Sequence, residues 1–292
     1  TIAVINTNLL HAVLVPLDSK IKSFKDFKGS NPPATIGIVT GSSAEFYIQA
    51  AAKANGIEIG KDIILKNMPP GEQMAMPKGI DAVVPWDPTP TIMAKERKNA
   101  RIISDSFPYN IYEGTFYVRQ EVIDNAPDVV QAFTDAIAEA TLWIRKNPDA
   151  AVDVMQEDPN LKNYSKEILR QQITAYNLLY KPNYIYPIPV FWGRANEPIY
   201  TWLYESKRIQ NKLTGIDFAR AVDTRFMDKT FEKLGWATTT RPPFLPATWT
   251  APMDKTPYPT YMNPLNTTTP QAFPEKGDLT KDWSYEGKTY KK

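Results

Sequence analysis

The residues best suited to bind a ligand stand in the turn Gly41-Ser42-Ser43-Ala44, which follows a short apolar segment. Ser42 and Glu45 fit a capping box, in which the serine hydroxyl accepts from the third helical amide and the glutamate reaches back. A helix start leaves four amides unpaired, and a box uses about two of them. The amides near Ser43 and Ala44, at the positive helix end, therefore remain for an anion, and Gly41 permits close backbone approach. A helix cap without any ligand is the alternative.

A second candidate is Trp86-Asp87, which follows the apolar segment 82–84. Trp86 can stack on a flat ligand, and Asp87 can either cap the next helix or accept a hydrogen bond from an ammonium group. The alternative for Trp86 is a lid over the core of its own domain. Because parallel strands end at the same sheet edge, this segment and the glycine-serine turn are expected to lie together.

Composition excludes several classes of protein. The chain has no cysteine and one histidine, so disulfides, thiolate metal sites, a cysteine nucleophile and most histidine metal sites are ruled out. The formal charge of +2 is spread along the chain, which argues against nucleic-acid binding. There is no Walker loop and no dinucleotide fingerprint. We therefore predict no catalytic residue, no metal site and no cofactor.

The elements that position these residues alternate between strand and helix from Ile36 to Phe116. A helix is predicted over 44–55 and closed by Gly56. A short helix is predicted over 72–79, ended by Pro77. This alternation indicates an α/β domain with a largely parallel sheet. The part that follows has apolar residues at helical spacing and is predicted to be mainly helical.

The composition changes after residue 235, where nine prolines fall between Pro242 and Pro274 and aromatic residues stand among them. We predict that this segment forms no helix or sheet of its own. Its aromatic residues favour an extended strap that lies over the folded body, and a mobile linker is the alternative.

Four segments in order resemble those of the solute-binding proteins of ABC importers. They are VPLDSKIKSFKDFKG, TIGIVTGSSAEFYIQAAAKANGI, GIDAVVPWDPTPTIMA and GTFYVRQEVIDNAPDVVQAFTDAIAEATLWIRKNPDAA. The sequence is most similar to the nitrate, sulfonate and taurine family, which also includes thiamine-precursor binders. The resemblance covers about residues 10–155. It implies an α/β fold of the periplasmic-binding-protein type (type II), in which two lobes close over a ligand about a hinge.

The resemblance also implies domain boundaries. Residues 1–16 would form the first crossing strand at the first lobe, 17–112 the complete second lobe, 113–238 the return to the helical part of the first lobe, and 239–292 the Pro/aromatic-rich extended tail. Because the family's first lobe opens with a βαβ portion that does not match here, we expect a further N-terminal segment, in this chain or in a separate one.

Site residues follow from the same resemblance. It places Trp86 and Asp87 in the ligand cleft. Asn8 and His11 precede the first crossing strand, and Tyr112 and Glu113 precede the second, so all four are candidate ligand contacts. A structural role is the alternative for each, as it is for most lone histidines.

The function implied is that of a non-enzymatic binding protein. It would capture a small anionic or zwitterionic solute, such as a sulfonate, nitrate or carboxylate, and present it to a membrane ABC permease in a periplasmic or extracytoplasmic, membrane-associated location. Two alternatives stay open: an enzyme on the same scaffold, desulfinase-like or pyrimidine-synthase-like, and an interaction module that acts through the C-terminal tail.

Overall fold

A computed structural model describes residues 1–6, 11–173, 185–234, 238, 255–258, 283–285 and 288–290. The chain divides into two compact units. The first unit comprises Thr1–Asn8, Tyr112–Asp254 and Tyr261–Lys292, and the second unit comprises Leu9–Ile111 and Lys255–Thr260.

The strands of the described residues are β1 (Ala3–Asn6), β2 (Ala12–Pro16), β3 (Ala34–Ile38), β4 (Ile63–Asn67), β5 (Ala82–Val83), β6 (Ala100–Asp105), β7 (Gly114–Phe116), β8 (Trp283–Tyr285) and β9 (Lys288–Tyr290). The helices are α1 (Ser43–Asn55), α2 (Pro70–Gln73), α3 (Thr89–Thr91, continued by a π-helical turn Ile92–Glu96), α4 (Gln120–Asn125), α5 (Pro127–Lys146), α6 (Pro148–Glu157), α7 (Lys166–Gln172), α8 (Pro189–Glu205), α9 (Gly215–Arg220) and α10 (Arg225–Leu234). A 3-10 turn spans Phe24–Phe27.

The second unit is built on a five-stranded sheet in the order β4-β3-β5-β2-β6. Strand β3 is parallel to β4 and β5, whereas β2 is antiparallel to both β5 and β6. The prediction of a largely parallel sheet is confirmed, because β4, β3, β5 and β6 all run in one direction. Strand β2 is the exception, since it lies between β5 and β6 in the opposite direction.

Both faces of this sheet are covered, because successive side chains of a strand point to opposite faces. Val13 and Val15 of β2 belong to a core cluster with Tyr47 and Ile48 of α1. Ala12 and Leu14 of the same strand belong to a second cluster with Met68, Val83 and Met93, among others.

The helices of the second unit agree with the prediction at α1 and differ from it at α2. Helix α1 begins one residue before its predicted start and ends at Gly56, which has a φ of 65°. The helix predicted over 72–79 is wrong, since α2 spans Pro70–Gln73. Pro70 suits a first helical turn, and Pro77 cannot continue a helix.

The first unit pairs β1 with β7 in an antiparallel ribbon that packs against helices. Ala3 of β1 shares a core cluster with Ile137 and Leu142 of α5 and with Met227 and Phe231 of α10. The prediction of a mainly helical second half is confirmed by α4 to α10.

Helices α8 and α9 approach each other through two glycines. A Cβ atom added to Gly193 would lie 2.4 Å from the Gly215 carbonyl oxygen, and the Gly215 amide donates to Glu197 Oε1 at 2.9 Å. The close contact fixes the position of α8, which carries Asn196.

The described part of the tail has two features. Tyr258 is buried, and its amide donates to the Pro108 carbonyl of the second unit at 2.7 Å. Strands β8 and β9 form an antiparallel pair, so the prediction that the tail builds no sheet is wrong there. Residues 275–292 contain no proline, so their backbone can form a hydrogen-bond ladder.

Among the described helices, none combines the length and the apolar character that crossing a membrane would require.

Candidate functional site

The predicted site residues of the second unit lie at one edge of its sheet. The carboxyl ends of β3, β4 and β5 lie at this edge because these strands are parallel. The start of β2 lies there too, since His11 forms an isolated antiparallel bridge with Trp86 and Ala12 pairs with Asp105, the last residue of β6. Ligands of open α/β sheets bind outside such carboxyl ends.

The turn before α1 is organised by Ser42 and Glu45, but with other partners than a capping box predicts. The Ser42 hydroxyl donates to the Val39 carbonyl at 2.7 Å and accepts from the Ala44 amide at 3.2 Å. The Glu45 carboxylate accepts from the Gly41 amide at 2.6 Å. The prediction that the Ala44 amide remains for a ligand is therefore wrong, because the Ser42 hydroxyl occupies it.

Ser43 is the first residue of α1. Its amide takes part in no hydrogen bond formed within the described ranges, so the positive end of the helix offers this donor. Its hydroxyl lies 2.8 Å from Nε2 of His11, which is 0% exposed. The two side chains orient each other, whichever of them donates.

His11 also contacts Trp86. The two residues form the backbone bridge described above, and their ring centroids lie 6.0 Å apart. Trp86 is partly buried and packs against the core cluster that includes Val84 and Tyr47. The packing matches the core-lid alternative for Trp86, and a contact between Trp86 and a ligand stays a prediction.

Asp87 caps the following helix. Its Oδ1 accepts from the Thr91 hydroxyl at 2.7 Å and from the Thr91 amide at 3.3 Å, and the residue is 8% exposed. These contacts are those of the capping role predicted for Asp87, and its contact with a ligand stays a prediction.

Tyr112 and Glu113 belong to the first unit. Glu113 Oε1 accepts from Asn196 Nδ2 at 2.6 Å, while Oε2 is buried and has no hydrogen-bond partner among the described residues. Burial raises the pKa of the Glu113 carboxyl to about 8, and the Asn196 hydrogen bond opposes this shift. Burial and the charge of Glu113 raise the pKa of Tyr112.

Two asparagines at these positions were not predicted from the sequence. Asn110 is 3% exposed, and neither its Nδ2 nor its Oδ1 has a partner in the described part of the chain. Asn110 follows β6, which ends at the same sheet edge as β3, β4 and β5. Because ligands of α/β sheets bind beyond the carboxyl ends of the strands, this position could have been predicted from the sequence. Asn196 lies on α8, far from Glu113 in sequence, and carries no local signal.

Asn8 lies outside the described residues, so its predicted role is not described. Within the described ranges, no group of three or more histidine, aspartate or glutamate residues is placed to hold a metal ion.

Two kinds of comparison relate the sequence to known proteins. A model of the family described as NMT1/THI5 like matches residues 1–151. Among curated proteins, none matches the sequence significantly.

Solved structures share the fold. A putative periplasmic sulfonate-binding protein, SsuA from Methylobacillus flagellatus KT, is 18% identical with a TM-score of 0.63, over 80% of this chain and 69% of that chain. The nitrate-binding protein NrtA from Synechocystis PCC 6803 is 13% identical with a TM-score of 0.58, over 79% and 66%. The desulfurization enzyme DSZB is 15% identical with a TM-score of 0.55, over 79% and 78%. These similarities confirm the predicted α/β fold of the periplasmic-binding-protein type.

Proposed function

The chain belongs to the NMT1/THI5-like family, and from this premise we propose that it is the solute-binding component of an ABC-type importer. The solute is a small organic anion or zwitterion with a sulfonate, nitrate-like or carboxylate group. The proposal is supported by similar solved structures, among them sulfonate-binding and nitrate-binding periplasmic proteins. Its partners are this solute and a membrane permease, and it works outside the cytoplasm.

The observation that carries the proposal is the Ser43 position. An N–H group at the start of a 13-residue helix is favourable for an anion, because the unpaired amide and the helix dipole act together. The Ser43 hydroxyl stands beside that amide and is held by the buried His11 nitrogen at 2.8 Å. A ligand oxygen that accepts from the Ser43 amide is therefore met by a preoriented hydroxyl.

Neighbouring groups at the same sheet edge complete the site. Gly41 has a φ of 83°, and the absence of a side chain there lets a ligand approach the backbone. The Asn110 carboxamide supplies a buried donor and acceptor without partners among the described residues. Trp86 offers an apolar ring next to His11. A few polar groups on an apolar wall are typical of small-molecule sites.

The test is ligand binding measured by isothermal titration calorimetry, with ethanesulfonate, nitrate and succinate as probes. We expect one-to-one binding of at least one probe, without turnover, and thermal stabilisation that rises with its concentration. Ser43→Ala should weaken that binding by at least tenfold. Ser30→Ala is the matched control, because it also removes a serine hydroxyl from the second unit, together with the hydrogen bond that this hydroxyl donates to the Phe27 carbonyl.

Two results would count against this function. Absence of binding by all three probes would remove the anion site. Equal loss of affinity in the Ser43 and Ser30 variants would show that the effect is general destabilisation rather than loss of a ligand contact.

The enzymatic alternative is addressed by the same samples. DSZB shares the fold, and a DSZB mutant in which serine replaces a cysteine has been solved in complex with biphenyl-2-sulfinic acid. The present chain contains no cysteine. Incubation with biphenyl-2-sulfinate should therefore leave this compound unchanged, and release of sulfite would favour the enzyme.

A further inference from the structure

We propose that Glu113 and Asn196 form a binding site for a small primary ammonium group within the first unit. Glu113 lies directly before β7, and Asn196 lies on α8. Their side chains are joined by the hydrogen bond from Asn196 Nδ2 to Glu113 Oε1, at 2.6 Å. Both residues belong to the first unit, whereas the anion site proposed at Ser43 is built from residues of the second unit.

The unused oxygen of Glu113 is the first support for this site. Glu113 as a whole is partly buried, whereas its Oε2 is closed off from solvent and has no partner among the described residues. Buried polar atoms in native proteins are nearly always hydrogen-bonded, so an unpaired carboxyl oxygen indicates a bound group.

The surrounding charges are the second support, since they favour a cation. Tyr200 lies one helical turn after Asn196 on α8. Its pKa is raised by burial and then by the negative charges of Glu113, Asp217 and Glu197. The pKa of Tyr112 is likewise raised by burial and then by the charge of Glu113. Within the described residues, none of the ion pairs brings a lysine or arginine to Glu113.

An ammonium group fits this environment better than water or a metal ion. Three N–H donors can satisfy Oε2 and the negative field together, and a charged partner is what a buried carboxylate requires. A metal ion would need further oxygen ligands, and no metal-holding group of acidic residues occurs among the described ones.

Binding should release a proton. The carboxyl of Glu113 has a pKa of about 8 without a ligand, so it is largely protonated at pH 7. The ammonium group binds the carboxylate form as an ion pair. The proton of Glu113 therefore passes to the buffer, and the ammonium keeps its own.

The experiment follows the Glu113 carboxyl carbon by NMR during a pH titration. The probe is propylammonium chloride, and the reference sample contains n-propanol with sodium chloride at the same ionic strength. We expect the apparent pKa of Glu113 to fall by at least one unit with propylammonium and to stay unchanged in the reference. Calorimetry in two buffers of different ionisation enthalpy should show release of at least about 0.4 proton per bound propylammonium at pH 7, which is what a fall of one unit from a pKa of about 8 gives.

Variants then separate the site from general charge effects. Glu113→Gln should abolish the proton release. Glu205→Gln removes an exposed carboxyl at the end of α8, the helix that carries Asn196, and should leave the proton release intact. The titration of the unmodified protein needs neither variant. An equal shift in both samples, or no shift with propylammonium, overturns the proposal. The anion titrations at Ser43 are unaffected by that result, so the two proposals fail separately.

Discussion

Replacing Ser43 with alanine tests the hydrogen bond that links α1 to His11. The change removes the hydroxyl that lies 2.8 Å from His11 Nε2. Because His11 is 0% exposed, water cannot take the place of the hydroxyl. A buried polar atom left without its partner costs about 1–3 kcal/mol. Alanine regains up to about 0.5 kcal/mol through its higher helix propensity. The net loss expected in the free energy of unfolding is about 0.5–3 kcal/mol.

The assay must report on the second unit alone, since two units need not unfold together. Hydrogen exchange of the α1 amides, measured by mass spectrometry across a urea series, provides that local free energy. Ser42→Ala is the comparison, because it removes a helix cap and costs about 1 kcal/mol without touching His11.

A double-mutant cycle with His11→Phe distinguishes the two serines. With phenylalanine at position 11 there is no nitrogen to leave unpaired, so Ser43→Ala should then cost at least about 1 kcal/mol less than in the native background. Ser42→Ala should cost the same in both backgrounds. Additive effects of Ser43→Ala and His11→Phe would refute the reasoning, since the hydrogen bond would then contribute nothing measurable.

Three further predictions concern other parts of the chain. Gly193→Ala should lower the free energy of unfolding of the first unit by about 1–3 kcal/mol in urea, because the added Cβ would lie 2.4 Å from a backbone oxygen and overpack the contact. Gly71→Ala is the control and should be nearly neutral in the same assay, since no atom lies within 4 Å of its added Cβ. The pKa of Glu113 rises from its ordinary 4.5 to about 8 on folding, so the folded state binds more protons than the unfolded state between these pH values. Thermal melts should therefore show that stability falls as the pH rises through this interval. The same pH profile should be flatter in Glu113→Gln. Tyr258→Ala should destabilise the second unit by about 3–5 kcal/mol in hydrogen exchange, as for other large buried aromatics; an unchanged exchange rate would show that the tyrosine is not part of that core.

Local signals in the sequence predicted elements well and long-range pairing poorly. Ser42 and Gly56 mark the two ends of α1, because caps depend on residues within a few positions of each other. The direction of β2 could not be predicted in this way. Its apolar alternation specifies a strand and its two faces, but its neighbours β5 and β6 are fixed by contacts more than 60 residues away in sequence.

The site shows the same division. Ser43 and Trp86 were identified because each follows a strand that ends at one sheet edge. The contact of Ser43 with His11 was not, since a histidine 32 positions away gives no periodic signal. Likewise, the choice of Gly41 rather than Ser42 as the partner of Glu45 depends on the backbone path of the turn. Of the two amides predicted to remain for a ligand, the Ser42 hydroxyl occupies that of Ala44 and leaves that of Ser43.

The position of Tyr258 has a consequence for how this protein can be divided or recombined. Its amide donates to Pro108, so the second unit is completed by a segment that the chain reaches only after the first unit's helices. A fragment or chimera that carries residues 9–111 alone would lack this side chain, which is 3% exposed in the full chain. Transplanting the unit into a relative therefore requires 255–258 to be moved with it, or a substitute side chain to be supplied. Removing the tail to search for partners would, for the same reason, alter the second unit as well as the tail.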